Sequence, residues 1–183
     1  MDTLFHGVVG AALCSRTGLA GGRRGPVDGQ GRRRFSDWTL WAAFGFGVLP
    51  DLASLGIHFS RVMFFGGGEP WGGIPDVVFV LYDLTHSLAG MAVCVGALAW
   101  WRRPLGLPAL AWPIHVLMDV PTHGDGRFMT PILWPFSDWT FSGWSWWLHP
   151  GVFQGGWILA GGLVVATVAM RWSGRGRETE GGG

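Results

Sequence analysis

The chain has 183 residues, enough for one domain with its own core, and is 49% hydrophobic but only 14% charged, against about 25% charged in an ordinary soluble domain. With 13 Trp and 32 Gly, types favoured at membrane interfaces and inside membrane helices, this composition argues against a soluble domain and for an integral membrane protein of several short spans. The formal net charge of +1 hides an uneven distribution: all 13 basic residues are Arg, and apart from Arg61 and Arg127 they fall in residues 16–34, 102–103 and 171–177. No basic groove with interleaved stacking aromatics accompanies them, so nucleic acid is not an expected partner.

Residues 3–14 (TLFHGVVGAALC) predict a short apolar helix with His6 near its start, under the roughly 20 residues of a full span. No basic n-region precedes it and no small-residue cleavage site is clear, so no cleaved signal peptide is expected. Residues 15–35, rich in Gly and Arg, are expected to be a flexible cytoplasmic loop. Ser36-Asp37 then opens a helix, with acidic charge at the positive end of its dipole. That helix runs from Trp38 to Leu49, meets Pro50-Asp51 and extends weakly to Ile57, with a Gly-containing loop expected over 58–75.

Asp76 opens a segment from Val77 to Trp101, long enough to span and carrying Asp83 and His86 about a third of the way in. Leu107 to Met118 predicts the next helix, followed by a long segment, 120–149, containing Trp134, Trp139, Trp144, Trp146 and Trp147. Such a segment suits the headgroup zone, where an indole buries its ring and keeps its N–H wet. Val152 to Met170 is the last span, its glycine pairs Gly155-Gly156 and Gly161-Gly162 favouring close helix packing, and a disordered tail is expected over 173–183. Cys14 and Cys94 lie in apolar segments without metal-type spacing and read as small buried thiols. The expectation is an all-α, polytopic bundle of about five spans, residues 1–172, with a long Trp-rich outer loop.

If five spans alternate in direction, every Arg cluster falls on one side of the bilayer and every ionisable residue within the spans falls towards the other. The positive-inside rule puts the Arg side in the cytoplasm. The amino terminus is then outside, the carboxyl terminus cytoplasmic, and the ionisable residues gather at the outer end.

Those residues are His6, Asp51, Asp83, His86, His115, Asp119 and His123. His115 and Asp119 are four apart, hence on one helical face. They suit a pair of metal ligands, a base with its orienter, or a structural hydrogen bond between helices. Asp83 and His86, three apart, form a similar pair on another helix, and inward-facing pairs of this kind build metal sites in bundles. Ionisable groups at membrane depth are costly and point to function, and His with carboxylate favours Zn or a similar divalent ion over a thiolate-type site. Asp51 also reads as a helix-end cap, His123 and Asp125 as solvated turn residues, and His58 and His149 as interface residues.

The early His, Leu49-Pro50-Asp51, Leu84-Thr85-His86-Ser87, His115-x-x-x-Asp119 and Thr130-Pro131-Ile132-Leu133-Trp134-Pro135 together resemble the bacterial inner-membrane metal-dependent hydrolase family. That family includes phospholipase-C-like and LexA-regulated relatives, and the resemblance covers roughly residues 4–150. It implies a multi-pass protein of the bacterial inner membrane with a divalent metal, Zn by preference, held by His6, Asp51, His86, His115 and Asp119. Where the family often reads Leu-Pro-Asp-x-Asp-His, Asp51 is followed here by Leu52, Ala53 and Ser54. Where it often reads His-Arg-Gly-x-Thr-His-Ser, this chain has Leu81, Tyr82 and Asp83 before Leu84-Thr85-His86-Ser87. Two ligand-type positions, at Ala53 and Leu81, are thus apolar or small, and Asp83 is the candidate substitute.

The expected function is hydrolysis of an ester or phosphoester at the outer membrane interface, with Asp83 or His123 as general base or orienter. The location favours a lipid or lipid-linked substrate. Two further readings stay open: a non-catalytic scaffold or partner subunit with a structural or vestigial metal site, and a proton-coupled transporter using the cluster as a relay.

Overall fold

The computed structural model describes residues 2–21, 37–66, 69, 71–124 and 126–176, with 171–176 by backbone alone. Residues 22–36 of the expected cytoplasmic loop, Asp125, and the tail beyond 176 lie outside the described residues. Among the described residues every regular element is helical: α1 Thr3–Cys14, α2 Trp38–Asp51, a π turn Leu52–Gly56, α3 Ile57–Phe65, α4 Asp76–Thr85, α5 Leu88–Trp101, a 3₁₀ turn Arg103–Leu105, α6 Gly106–Ala109, α7 Ala111–Thr122 and α8 Pro150–Gly176.

Among the described residues, two helices are long and apolar enough to cross a membrane, Trp38–Phe65 and Pro150–Met170, and a third if α4 and α5 count as one broken span. The expectation of five spans is therefore corrected to two or three. The helix α1 has 12 residues, about 18 Å at 1.5 Å per residue against a hydrocarbon core of about 30 Å. The segment expected as one span over 77–101 bends by 65° between Thr85 and Leu88. The segment expected over 107–118 is divided into the single turn α6 and the 12-residue α7.

Two boundaries also move. The helix expected to fade at Ile57 continues through the π turn to Phe65, so Asp51 lies midway along a helical rod rather than at its end. Pro50 sits inside α2 and has no N–H to donate, which removes one rung of the ladder. The wider turn that follows is a common local remedy near functional sites. At the other end of the chain, α8 runs on to Gly176, into the stretch expected to be disordered.

The short α1 occupies the centre. It packs on α2, α7 and α8 and buries Phe5, His6, Gly7, Val9, Gly10, Ala12 and Cys14. Its approach to α2 depends on missing side chains: a Cβ on Gly47 would lie 2.5 Å from the His6 carbonyl oxygen. At its carboxyl end, Asp37 caps α2 and clasps the chain after α1, its Oδ1 accepting from Thr39 N–H and Oγ1–H (3.0 and 2.6 Å) and its Oδ2 from Thr17 N–H and Oγ1–H (3.1 and 2.7 Å). Burial alone would raise the Asp37 pKa, but the hydrogen bonds from Thr39 and Thr17 outweigh it and hold the carboxyl below its ordinary value. At the amino end, Asp2 caps α1 through Phe5 N–H (2.9 Å) and accepts from the Trp157 indole N–H of α8 (2.9 Å).

Candidate metal centre

His115 and Asp119 stand one turn apart on α7, and Nε2 of the first lies 3.0 Å from Oδ2 of the second. The expected shared face is therefore formed. Pro121 falls inside the last turn of α7, two residues beyond Asp119, so both acidic residues of the centre neighbour a proline that loosens the local ladder.

His86 arrives differently. It is not on the face of a continuous helix but at the break, as the carboxyl cap of α4 with φ −108° and ψ 12°. Ser87 then starts α5, its side chain accepting from Gly90 N–H at 3.1 Å. The carbonyl of Thr85, freed by the break, accepts the Trp112 indole N–H from α7 at 2.8 Å, and Leu88 N–H donates to Ile132 of the Trp-rich segment at 2.9 Å. The break is thus satisfied by partners on both sides, and it holds the His86 ring against Tyr82, stacked at 3.9 Å between centroids.

Asp51, His86, His115 and Asp119 each bring one ligand atom to a common point, all within 4.8 Å of one another. His86 Nε2 is 3.2 Å from His115 Nε2 and 3.6 Å from both Asp51 Oδ1 and Asp119 Oδ2, and His115 Nε2 is 3.5 Å from Asp51 Oδ1. An ion in tetrahedral coordination with bonds of about 2.0–2.1 Å, the length for Zn to imidazole nitrogen and carboxylate oxygen, spaces its ligands about 3.3–3.4 Å apart. The five edges that include a histidine, 3.0 to 3.6 Å, bracket that value.

The hydrogen bonds behind the ligands say what the converging atoms are. His115 Nδ1 donates to the Gly47 carbonyl at 2.6 Å, and His86 Nδ1 to the Tyr82 carbonyl at 3.0 Å. Carbonyls only accept, so a neutral ring protonated at Nδ1 fits both contacts, the Thr85 hydroxyl lying 3.0 Å from His86 Nδ1 as well, and in that state each Nε2 presents a lone pair. Two lone pairs and two carboxylates face each other, on side chains no more than 15% exposed. Four electron-pair donors gathered away from water repel one another and call for a cation between them. Asp51 is further fixed through its other oxygen, which accepts from Thr3 Oγ1–H at 2.7 Å.

The remaining expected residues fall into two groups. His6 and His123 both address Asp119 Oδ1, the oxygen turned away from the tetrad, His6 Nε2 at 2.9 Å and His123 Nδ1 at 3.3 Å. The His6 ring also lies against that of His115, centroids 3.8 Å apart. His6 therefore stands behind the ligand set rather than in it, although it is completely buried. Asp83 is half-exposed on α4 and outside the tetrad. The chain turns out of helical geometry at His86, so their three-residue spacing no longer puts them on one face. His58 is 7% exposed and so buried in α3, whereas His149 is exposed beside the start of α8.

Sequence reasoning passed over Tyr82, Thr3 and the Gly47 carbonyl. Tyr82 is the chain's one tyrosine, four residues before His86, a spacing that gave a usable signal. The other two carry none, since a backbone carbonyl has no residue type.

A cavity of about 790 Å³ adjoins the centre, with Asp51, His123 and Tyr82 in its wall and Leu52, Leu55, Phe59, Met63, Trp146 and Trp147 among its apolar lining. Such a volume suits a drug-sized or single-chain ligand. No family model, no curated protein and no solved structure matches this chain.

Proposed function

We propose that the protein is a membrane-bound, metal-dependent hydrolase cleaving an ester or phosphoester of a lipid or lipid-linked substrate. On this reading it stands with the bacterial inner-membrane hydrolases that its motifs resemble, amino terminus outside and carboxyl terminus cytoplasmic, as the Arg distribution implies. The observation that supports it is a cluster of two imidazole nitrogens and two carboxylates whose histidine edges match tetrahedral spacing, with the one partly exposed ligand, Asp51, in the wall of an apolar cavity.

Asp51, His86, His115 and Asp119 would hold the ion, Zn by preference for a His₂Asp₂ set. Once bound, a divalent ion supplies Lewis acidity towards an ester oxygen and acidifies water. His123 borders the cavity with its Nδ1 towards Asp119, so it can accept a proton on the substrate side, and its place in the wall favours it over Asp83 as general base. His6 positions Asp119. The test is metal content and lipid-ester hydrolysis of the purified protein. His115→Ala and Asp119→Ala should lose both and remain folded, whereas activity unchanged in either variant would refute the assignment.

One observation favours a second reading, a non-catalytic scaffold with a structural ion: four protein ligands complete a tetrahedron, the closed pattern of structural sites. Chelation discriminates between them. A structural ion leaves the fold with its removal, while a catalytic one leaves the fold intact and abolishes turnover.

A further inference from the structure

We propose that the cavity beside the metal centre receives a quaternary ammonium headgroup, as in a phosphocholine lipid, with the alkyl chain lying along the π turn and α3. This names the headgroup class of the hydrolase reading and rests on that reading for the reaction, though not for binding. The first argument is charge. Asp2 and Asp51 both line the cavity, and among the described residues no arginine does. Asp2 is satisfied by two neutral donors, Phe5 N–H and the Trp157 indole, so its charge is solvated without an ion pair from those groups. An anionic headgroup would meet these carboxylates with only the metal to offset them; a cation on the same headgroup meets them favourably.

The second argument is the aromatic lining. Trp146 and Trp147 meet with centroids 5.9 Å apart and planes at 87°, and His123 lies 5.6 Å from Trp147. Also in the lining, Phe59 and Trp71 stand at 4.9 Å and 76°, and Trp71 and Phe128 at 6.4 Å and 72°. Rings set nearly at right angles turn their negative faces in several directions around one space, the arrangement that attracts a methylated ammonium. Such a group donates no hydrogen bonds, so an apolar wall admits it at little cost, whereas a primary ammonium would lose its water without replacement.

The third argument is the tail. Leu52, Leu55, Phe59 and Met63 follow Asp51 at helical spacing and all line the cavity. Leu52 and Met63 are 52% and 77% exposed, without cover from the rest of the chain. This stripe offers an alkyl chain a bed that begins beside the ligand carboxylate.

Binding of radiolabelled lysophosphatidylcholine to the full-length protein in neutral maltoside micelles tests the proposal, with lysophosphatidic acid and lysophosphatidylethanolamine as competitors. The choline lipid should bind about tenfold tighter than either, and tetramethylammonium chloride should displace it. Trp147→Ala, a change at a half-exposed ring, should lower that affinity about tenfold, and Trp100→Ala, outside the cavity, should not. Equal affinity for the three lipids, or no effect of Trp147→Ala, overturns the proposal. Repeating the measurement after chelation and in His115→Ala separates it from the hydrolase reading. Choline selectivity in a wild-type protein that purifies without metal and hydrolyses no lipid ester leaves this proposal standing and refutes the other; a metal-loaded, active protein without selectivity does the reverse.

Discussion

His86 and His115 face each other with Nε2 atoms 3.2 Å apart, the far nitrogen of His86 against the Tyr82 carbonyl of α4 and that of His115 against the Gly47 carbonyl of α2. With the ring protons on those far nitrogens, the two Nε2 lone pairs converge on one point. Metal analysis should find one divalent ion per chain, with loss of it in His86→Ala as in His115→Ala.

The Thr3 hydroxyl aims Asp51 by donating to its outer oxygen at 2.7 Å. Groups that orient a ligand in this way typically matter about 10–100-fold for metal affinity. Thr3→Val, which keeps the shape and removes the donor, should weaken metal binding by that factor in a competition titration with a chromogenic chelator, while the melting temperature of the metal-free protein stays put.

His123 stands in the cavity wall without belonging to the tetrad. In His123→Gln, metal content should be unchanged and hydrolysis should fall by about 10²–10⁴, the usual range for a lost general base. A variant that loses metal instead would place His123 among the ligands.

Gly47 combines two duties, since its missing side chain admits α1 and its carbonyl holds His115. Gly47→Ala should cost about 1–3 kcal/mol, as overpacking of a tight contact does, and should lower metal affinity as well because the carbonyl shifts. Thermal unfolding and metal titration of the same variant check the coupling.

At the far end of α1, the Asp37 carboxyl is held below its ordinary pKa by hydrogen bonds from Thr39 and Thr17 that outweigh its burial. A depressed folded pKa contributes stability above the unfolded value, about 3.9, and that contribution fades as pH falls through the folded one. Asp37→Asn keeps one acceptor but turns an amide nitrogen to Thr17; it should cost about 1 kcal/mol at neutral pH, the scale of a lost hydrogen bond, and the gap between variant and wild type should close in acid melts.

Much of the site was legible because its chemistry is expensive. His86, His115, Asp51 and Asp119 stood out as ionisable groups in apolar stretches, and the i, i+4 relation of the last pair needed only α7 to be a helix. The Asp37 cap was legible for the same local reason. What could not be read was tertiary. Nothing in the run from Val77 to Trp101 announces a 65° bend, because the groups that satisfy the break, Trp112 and Ile132, lie 27 and 44 residues away from their partners Thr85 and Leu88. The pairing of His6 with the outer oxygen of Asp119 likewise depends on α1 being drawn into the centre, and a 12-residue apolar helix looks the same whether it is a tilted edge or a core.

The position of α1 sets an order of assembly. It precedes the other described helices along the chain and is too short to hold a bilayer on its own, yet it is enclosed by α2, α7 and α8. Asp2 and the Ala12 carbonyl find their partners, Trp157 and Thr167, only 155 residues later. The ligands follow the same delay, since Asp51 and His86 wait for α7 to bring the other two. The bundle therefore closes from α8 back onto α1, and a chain stopped short of α8 would display an uncovered core helix to the quality-control machinery of the membrane.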